Sequence, residues 1–170
     1  MASLHVCPLS RLPETLAATD ADHLVTLVRR DTPVQRPPGI RPERHLVVGV
    51  SDIVAPLEGH VLPDETHIAP LIAFIRAWDR RRPLVLHCYA GISRSTAAAY
   101  IAVCALDPGR DEAALARQLR RLAPSATPNR LFVEIADRLL GRGGRMSAAV
   151  AAIGRGADAF EGVPFRLDLG

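Results

Sequence analysis

Short apolar runs alternate with longer stretches of helical periodicity along this chain, and the two periods together predict an α/β domain. Leu4 to Cys7, His23 to Val28 (HLVTLV) and Arg44 to Val50 (RHLVVGV) read as strands, and Leu84 to His87 as a fourth, buried one. Ser10 to Thr19 reads as a short helix with Ser10 as its cap. Ile68, Leu71, Ile72, Ile75 and Trp78 recur at helical spacing, predicting a helix to about Arg80 that Asp64 or Thr66 can cap and Pro83 stops. Further helices are predicted from Ser93 through Ala105, and from an Asp111 cap to Leu122. Another opens at Thr127-Pro128, an N-cap followed by a first-turn proline, and runs to Leu140; a weak last one covers Met146 to Ile153. Asp31 to Pro42, dense in arginine and proline, reads as an exposed loop, and residues 156–170 are the least predictable part. The expected architecture is a central, mostly parallel sheet of four to five strands flanked by helices, in a single domain over residues 1–170.

Composition narrows the functional classes. The chain has 170 residues, 48% hydrophobic and 23% charged, which fits one folded domain with a workable core. All 21 basic side chains are arginines, yet the net charge is only +3 and the arginines are dispersed, so nothing argues for nucleic acid. Three cysteines do not make a disulfide framework, and the N-terminus has no basic-then-apolar secretion signal. The longest apolar-rich run, Ala97 to Leu106, is far shorter than the roughly 20 residues a membrane span requires. A reducing, cytoplasmic setting with free thiols is expected, without membrane attachment.

The chemistry concentrates in LVLHCYAGISRST, residues 84–96. An apolar strand stops at Cys88, passes through a small-residue turn and reaches Arg94 and two hydroxyls. The bare spacing is not specific, because Cys104-Ala-Leu-Asp-Pro-Gly-Arg110 repeats it. Context separates the two. Cys88 lies where a buried strand turns directly into a helix N-terminus, so backbone amides and the positive helix end converge on one point, an arrangement that favours a thiolate and binds anions. Gly91 permits the tight loop, and Arg94 can fork two donors onto phosphate oxygens. Cys104 sits at the opposite, carbonyl end of its helix, beside Asp107 and Pro108, and reads as core.

His87-Cys88-Tyr89-Ala90-Gly91-Ile92-Ser93-Arg94-Ser95 resembles the signature of the cysteine-dependent protein tyrosine phosphatases, in the form typical of the dual-specificity and small bacterial branches. A weaker similarity runs from about Arg44 to Leu140, which would be the catalytic core; the first forty and last thirty residues carry no usable family signal. The resemblance implies that Cys88 attacks phosphorus to form a phosphocysteine. Arg94 and the amides of Tyr89, Ala90, Gly91, Ile92, Ser93 and Arg94 would hold the phosphoryl oxygens. Ser95 matches the hydroxyl that stabilises the departing thiolate, and His87 the histidine that orders the loop and supports the cysteine's reactivity. For Ser93 a capping role competes with a chemical one. No cofactor and no metal is expected, since amides and Arg94 supply the positive field.

In this family an aspartate on a separate upstream loop supplies the leaving group's proton. Asp52, directly after HLVVGV, falls on the same sheet edge as Cys88 if the two strands are parallel, and Val50-Ser51-Asp52 resembles the family's acid loop without its tryptophan-proline-aspartate form. Asp64 is the alternative, with helix capping as its competing role; Glu58 has no positional argument and Asp79 belongs at the far end of the sheet. Asn129 reads either as a brace for the loop or as an exposed first-turn residue, and Phe74 and Trp78 as core. The expected activity is phosphomonoester hydrolysis on phosphotyrosine, with dual specificity toward phosphoserine and phosphothreonine. The substrate would be a phosphorylated protein or a small phosphate ester. A phosphoinositide substrate, a non-turnover phosphoprotein-binding module and a thiol reductase using Cys7 as the resolving residue are the alternatives.

Overall fold

A computed structural model describes residues 3–169. Five strands form one sheet: β1 (Ser3–Pro8), β2 (His23–Val28), β3 (His45–Gly49), β4 (Leu84–Cys88) and β5 (Phe165–Asp168), in the order β3-β2-β4-β1-β5. β1, β2, β3 and β4 are mutually parallel and β5 is antiparallel to β1. Every residue of β2 and β4 is buried, the pattern of strands covered on both faces. Because the four strands are parallel, their C-terminal ends at Pro8, Val28, Gly49 and Cys88 share one edge, where ligands bind in open α/β sheets. Asp79 does lie at the opposite end, near His23 and Arg44.

One face carries the larger core, packed under α2 (Glu65–Ala77), α3 (Arg94–Leu106), α4 (Glu112–Leu122), α5 (Arg130–Leu139) and α6 (Arg145–Ile153). α3 is buried at every position from Arg94 to Ala105; its alanines let it run against sheet and neighbouring helices on all sides. The other face is covered by α1 (Leu12–Thr19) and Ile40 of the loop between β2 and β3, over Cys7, Leu24 and Val85. Phe74 and Trp78 belong to the core, with the Trp78 indole donating to the Arg82 carbonyl. Among the described residues, no helix is long and apolar enough to cross a membrane.

Three sequence expectations change. Ser10 does not cap a helix; it lies in a 3-10 turn, Leu9–Arg11, and its hydroxyl donates to Glu161 across the molecule. Thr127 is not the cap of α5. Asn129 is, its Oδ1 accepting from the amides of Leu131 and Phe132, because Thr127 is drawn into backbone pairing with Ile92. The unpatterned C-terminus contains β5, whose four residues alternate buried and exposed over too short a run to register as a strand. β1, β2 and β5 all lie outside residues 44–140, so the sheet that carries the cysteine loop draws on both ends of the chain.

The most buried charge pair is also far from that loop. Arg142 donates to Glu112 at 2.8 Å and to the carbonyls of Cys104 (2.6 Å) and Asp107 (2.8 Å), pinning the α3 C-terminus to the α5–α6 turn. Arg142→Ala strands the Glu112 carboxylate, and a loss of about 3–5 kcal/mol of unfolding free energy in urea is expected. Arg142→Met paired with Glu112→Gln should recover much of it.

Candidate active site

At the end of β4 the chain makes a loop, residues 89–93, before entering α3. Four of its five carbonyls face outward to partners from other parts of the chain. Tyr89 O accepts from Leu9 N (3.1 Å), Ala90 O from Gly162 N (2.7 Å), Ile92 O from Thr127 N (2.9 Å) and Ser93 O from Asn129 N (3.2 Å). Peptide planes turned this way leave their N–H groups for the inside. The Gly91 amide donates to Cys88 Sγ at 3.2 Å, and Ser95 Oγ lies 3.1 Å from the same sulfur. Gly91 is the one position where the loop cannot carry a side chain: its φ is +68°, and a Cβ would stand 2.7 Å from Pro8 N and 2.9 Å from the Cys7 carbonyl carbon. Thr96 closes the loop from the helix side, donating to Ile92 O at 2.5 Å.

Arg94 occupies the first position of α3 and is 7% exposed, its Nη1 donating to the Val50 carbonyl at 2.9 Å. That bond ties the arginine to the end of β3 and so to the following loop, which carries Asp52. Asp52 Oδ1 accepts from Ser93 Oγ at 2.6 Å and from Asn129 Nδ2 at 2.9 Å, while Oδ2 has no protein partner among the described residues. Ser93 makes no cap bond; its hydroxyl serves the aspartate instead. Asn129 is 4% exposed rather than an open first-turn residue, and it also donates to Ile53 O. Ser51 stiffens the same loop through Val61, amide to carbonyl and amide to hydroxyl.

Asp64 is placed elsewhere. It caps α2, accepting from Thr66 N at 2.9 Å and from the Thr66 hydroxyl, and these bonds hold its carboxyl below the usual range. The exposed rim of the loop is Tyr89, 64% exposed, with Phe160 nearby on the segment whose Gly162 amide reaches Ala90. A groove of about 510 Å³ runs from Asp52 and Ser93 past Asn129 to Arg155.

The other two cysteines are buried. Burial pushes the Cys104 thiol up to about 12, with Glu112 and Asp137 adding to the effect against Arg142 and Arg110. Cys7 pairs in register with His87, so its side chain shares the face of His87 and lies in the cluster opposite that of Cys88. Burial raises its thiol to about 11. Among the described residues, no three His, Cys, Asp or Glu side chains gather as a metal site.

Apart from Asn129, which reads as a candidate brace, the anchors of the loop were invisible in the sequence. Leu9, Thr127 and Gly162 contribute only backbone amides, and Gly162 alone left a trace, as a glycine where a Cβ would meet Gly91 O at 2.7 Å.

A strand ending in a cysteine, an amide-lined turn and a buried arginine thus meet at one edge of an α/β sheet. Solved structures share this fold. Human DUSP28 matches with a TM-score of 0.61 and 24% identity, over 82% of this chain and 92% of that one. PTP-2 phosphatase of Cydia pomonella matches with a TM-score of 0.60 and 18% identity, over 79% and 84%. A mouse protein described as a dual specificity phosphatase, crystallised with zinc tungstate, matches with a TM-score of 0.54 and 26% identity, over 80% and 79%. No protein-family model and no curated protein matches the sequence. The chain has the fold of these dual-specificity phosphatases.

His87 supplies a pH-dependent stability term. Burial pushes its imidazole down from 6.5 to about 4, with the Cys88 backbone acting in the opposite sense. The folded state thus binds fewer protons than the unfolded one between these values. Its contribution is complete above pH 6.5 and is lost as pH falls toward 4, on the order of 3 kcal/mol. Urea unfolding of the wild type across that window should show the loss, and His87→Gln should flatten it.

Proposed function

We propose that the chain hydrolyses phosphomonoesters, with phosphotyrosine in proteins as its main substrate and phosphoserine or phosphothreonine also accepted. The reading is supported above all by one arrangement. The Cys88 sulfur accepts from the Gly91 amide inside a loop with four carbonyls bonded outward, and the aspartate tied to that loop through Ser93 has one oxygen without a partner among the described residues.

In the first step Cys88 Sγ attacks phosphorus and the bond to the ester oxygen breaks, giving a phosphocysteine. Arg94 and the amides of residues 89–94 hold the three equatorial oxygens, and their positions are fixed before substrate arrives, so little reorganisation is needed. Asp52 gives its proton to the departing phenolate or alkoxide. In the second step Asp52 takes a proton from the attacking water, the S–P bond breaks, and Ser95 donates to the leaving thiolate at the distance already present in the resting site. His87 acts as a neutral ring that orders the loop, consistent with its depressed titration. Tyr89 and the neutral side chains of Ala90 and Ile92 fit an aryl phosphate better than a polyanionic inositol. We place the activity in the cytoplasm, where three unpaired thiols persist.

Hydrolysis of an aryl phosphate in the presence of chelator tests the reading. Cys88→Ser should abolish turnover. Asp52→Asn should lower kcat by about 10²–10⁴-fold on a poor leaving group and by much less on a good one. Normal turnover by Cys88→Ser would sink the scheme, and an unaffected Asp52→Asn would remove the acid assignment alone. Vanadate should inhibit the wild type.

A further inference from the structure

The surface stays open beyond the acid candidate. The groove that starts at Asp52 and Ser93 continues, past Arg130, into a second hollow of about 410 Å³ that reaches Glu134 on α5 and Ser147 on α6. Val54, Arg130, Val150 and Ala151 border both, so the two form one trough leading away from the mouth of the cysteine loop. Its borders are fixed before anything binds. Asn129 Nδ2 holds the Ile53 carbonyl. The segment after α6 brings Gly154 and Arg155 to the groove, and it is tied where the Gly156 amide donates to Thr127 Oγ1 (3.0 Å) and the Ala157 amide to Pro124 O (2.9 Å). A Cβ on Gly156 would stand 2.6 Å from the Ser125 carbonyl carbon, so that segment lies flush against the α4–α5 connection. A concave, largely apolar, preformed channel continuous with a reaction site has the form that holds the rest of a large substrate.

Arg130 stands where the two hollows meet, and nothing in the fold requires a cation there. It is the first residue of α5, where a positive charge opposes the positive end of the helix dipole. Its side chain is exposed and makes no hydrogen bond or ion pair among the described residues. Glu134, one turn on, borders the outer hollow without pairing with it. Arg155 borders the inner half. Its bond to Asp158 joins two side chains that are 80% and 86% exposed, a pairing that water and salt weaken and a ligand can replace. At the inner end Asp52 keeps Oδ1 on Ser93 and Asn129. Charge along the trough therefore runs from acid at Asp52 through base at Arg130 to acid again at Glu134. A chain with one acidic side chain at the middle matches that order, and a run of acids does not.

We propose that this trough takes the chain of a phosphoprotein substrate beside its phosphorylated residue, and that Arg130 is a specificity-determining residue selecting one Asp or Glu side chain there. The proposal rests on the phosphatase reading of the cysteine loop, to which the trough is joined at Asp52 and Ser93. A carboxylate laid against the Arg130 guanidinium can accept two parallel N–H bonds, which gives the contact direction as well as charge. A small phosphate ester has no part that extends into the trough, so the selection applies to peptides alone.

Phosphotyrosine peptides in which a single Glu replaces Gln at each flanking position in turn test this. With the wild type, Glu at one position or two adjacent ones should raise kcat/KM by about three- to fivefold over Gln, mostly through KM, because the contact is made before and during the reaction alike. Arg130→Gln should erase that preference, and Arg130→Glu should turn it into a preference for Lys at the same position. Arg121→Gln, the same charge change on an exposed position of α4, should leave it in place. Raising salt from about 0.05 M to about 0.5 M should shrink the wild-type preference. A flat scan by a wild type that turns the peptides over overturns the proposal, and so does a preference that survives Arg130→Gln. A soluble inositol phosphate hydrolysed faster than every peptide overturns the choice of occupant. Fluorescence anisotropy on the same peptides separates the trough from the chemistry. If the wild type turns over none of them, an acid preference in binding that Arg130→Gln abolishes upholds the trough and counts against the phosphatase reading. Binding without any such preference overturns the trough as well.

Discussion

A cradle for an anion made from backbone amides must dispose of the carbonyls that come with them. Each peptide plane turned to present its N–H inward points its oxygen outward, and an outward oxygen buried against protein without a donor would cost about as much as the cradle gains. The loop at residues 89–93 meets this constraint with four donors from three separate segments: Leu9, Gly162, and Thr127 with Asn129. Much of the rest of the fold serves to bring those amides to one place. β1 delivers Leu9 because it pairs in register with β4, and the α4–α5 connection delivers Thr127 and Asn129. The segment after α6 delivers Gly162, and Arg120 fixes its start by donating to the carbonyls of Ile153, Gly154 and Ala126.

Asn129 carries more of this than any other single residue. Its amide closes the loop at Ser93, its Oδ1 caps α5, and its Nδ2 holds Asp52 and Ile53. Loop, acid candidate and helix are therefore one hydrogen-bonded unit rather than three neighbours. Arg94 adds a second strut from the loop to the end of β3, through Val50 O. In the proposed reaction these ties set the separation between nucleophile and acid before any substrate binds, which is where positioning lowers a barrier.

Local signals made part of this legible and long-range ones did not. Cys88, Gly91 and Arg94 stand in one short segment, where a buried strand, a glycine and a helix start are all readable from neighbours in sequence. Asp52 followed from one further inference, that the strands before it and before Cys88 are parallel, and β2 pairs with both in that sense. Helix caps at Asp64 and Asp111 were readable for the same local reason. Thr127 and Ser10 were misread because a distant partner outbid the cap: Ile92 for Thr127, Glu161 for Ser10. Leu9 and Gly162 act through backbone amides that any residue but proline possesses, so no residue type announces them. The same holds for β5, a strand specified by β1 rather than by its own four residues.

The two cysteines that share a spacing to arginine show why spacing could not have decided the matter. Cys104 ends a helix, and the carbonyls exposed there attract a cation: Arg142 binds the Cys104 and Asp107 oxygens and is itself neutralised by Glu112. A buried thiol in that setting is pushed up to about 12 and stays a core side chain. Cys88 precedes a helix, and what is exposed there is amide. The Gly91 amide and the Ser95 hydroxyl meet the sulfur, and the buried Arg94 guanidinium opens the same helix, tied to the Val50 carbonyl. The chemistry available to each cysteine is set by which end of α3 it occupies, because the peptide dipole has a direction and the spacing of residues along the chain does not.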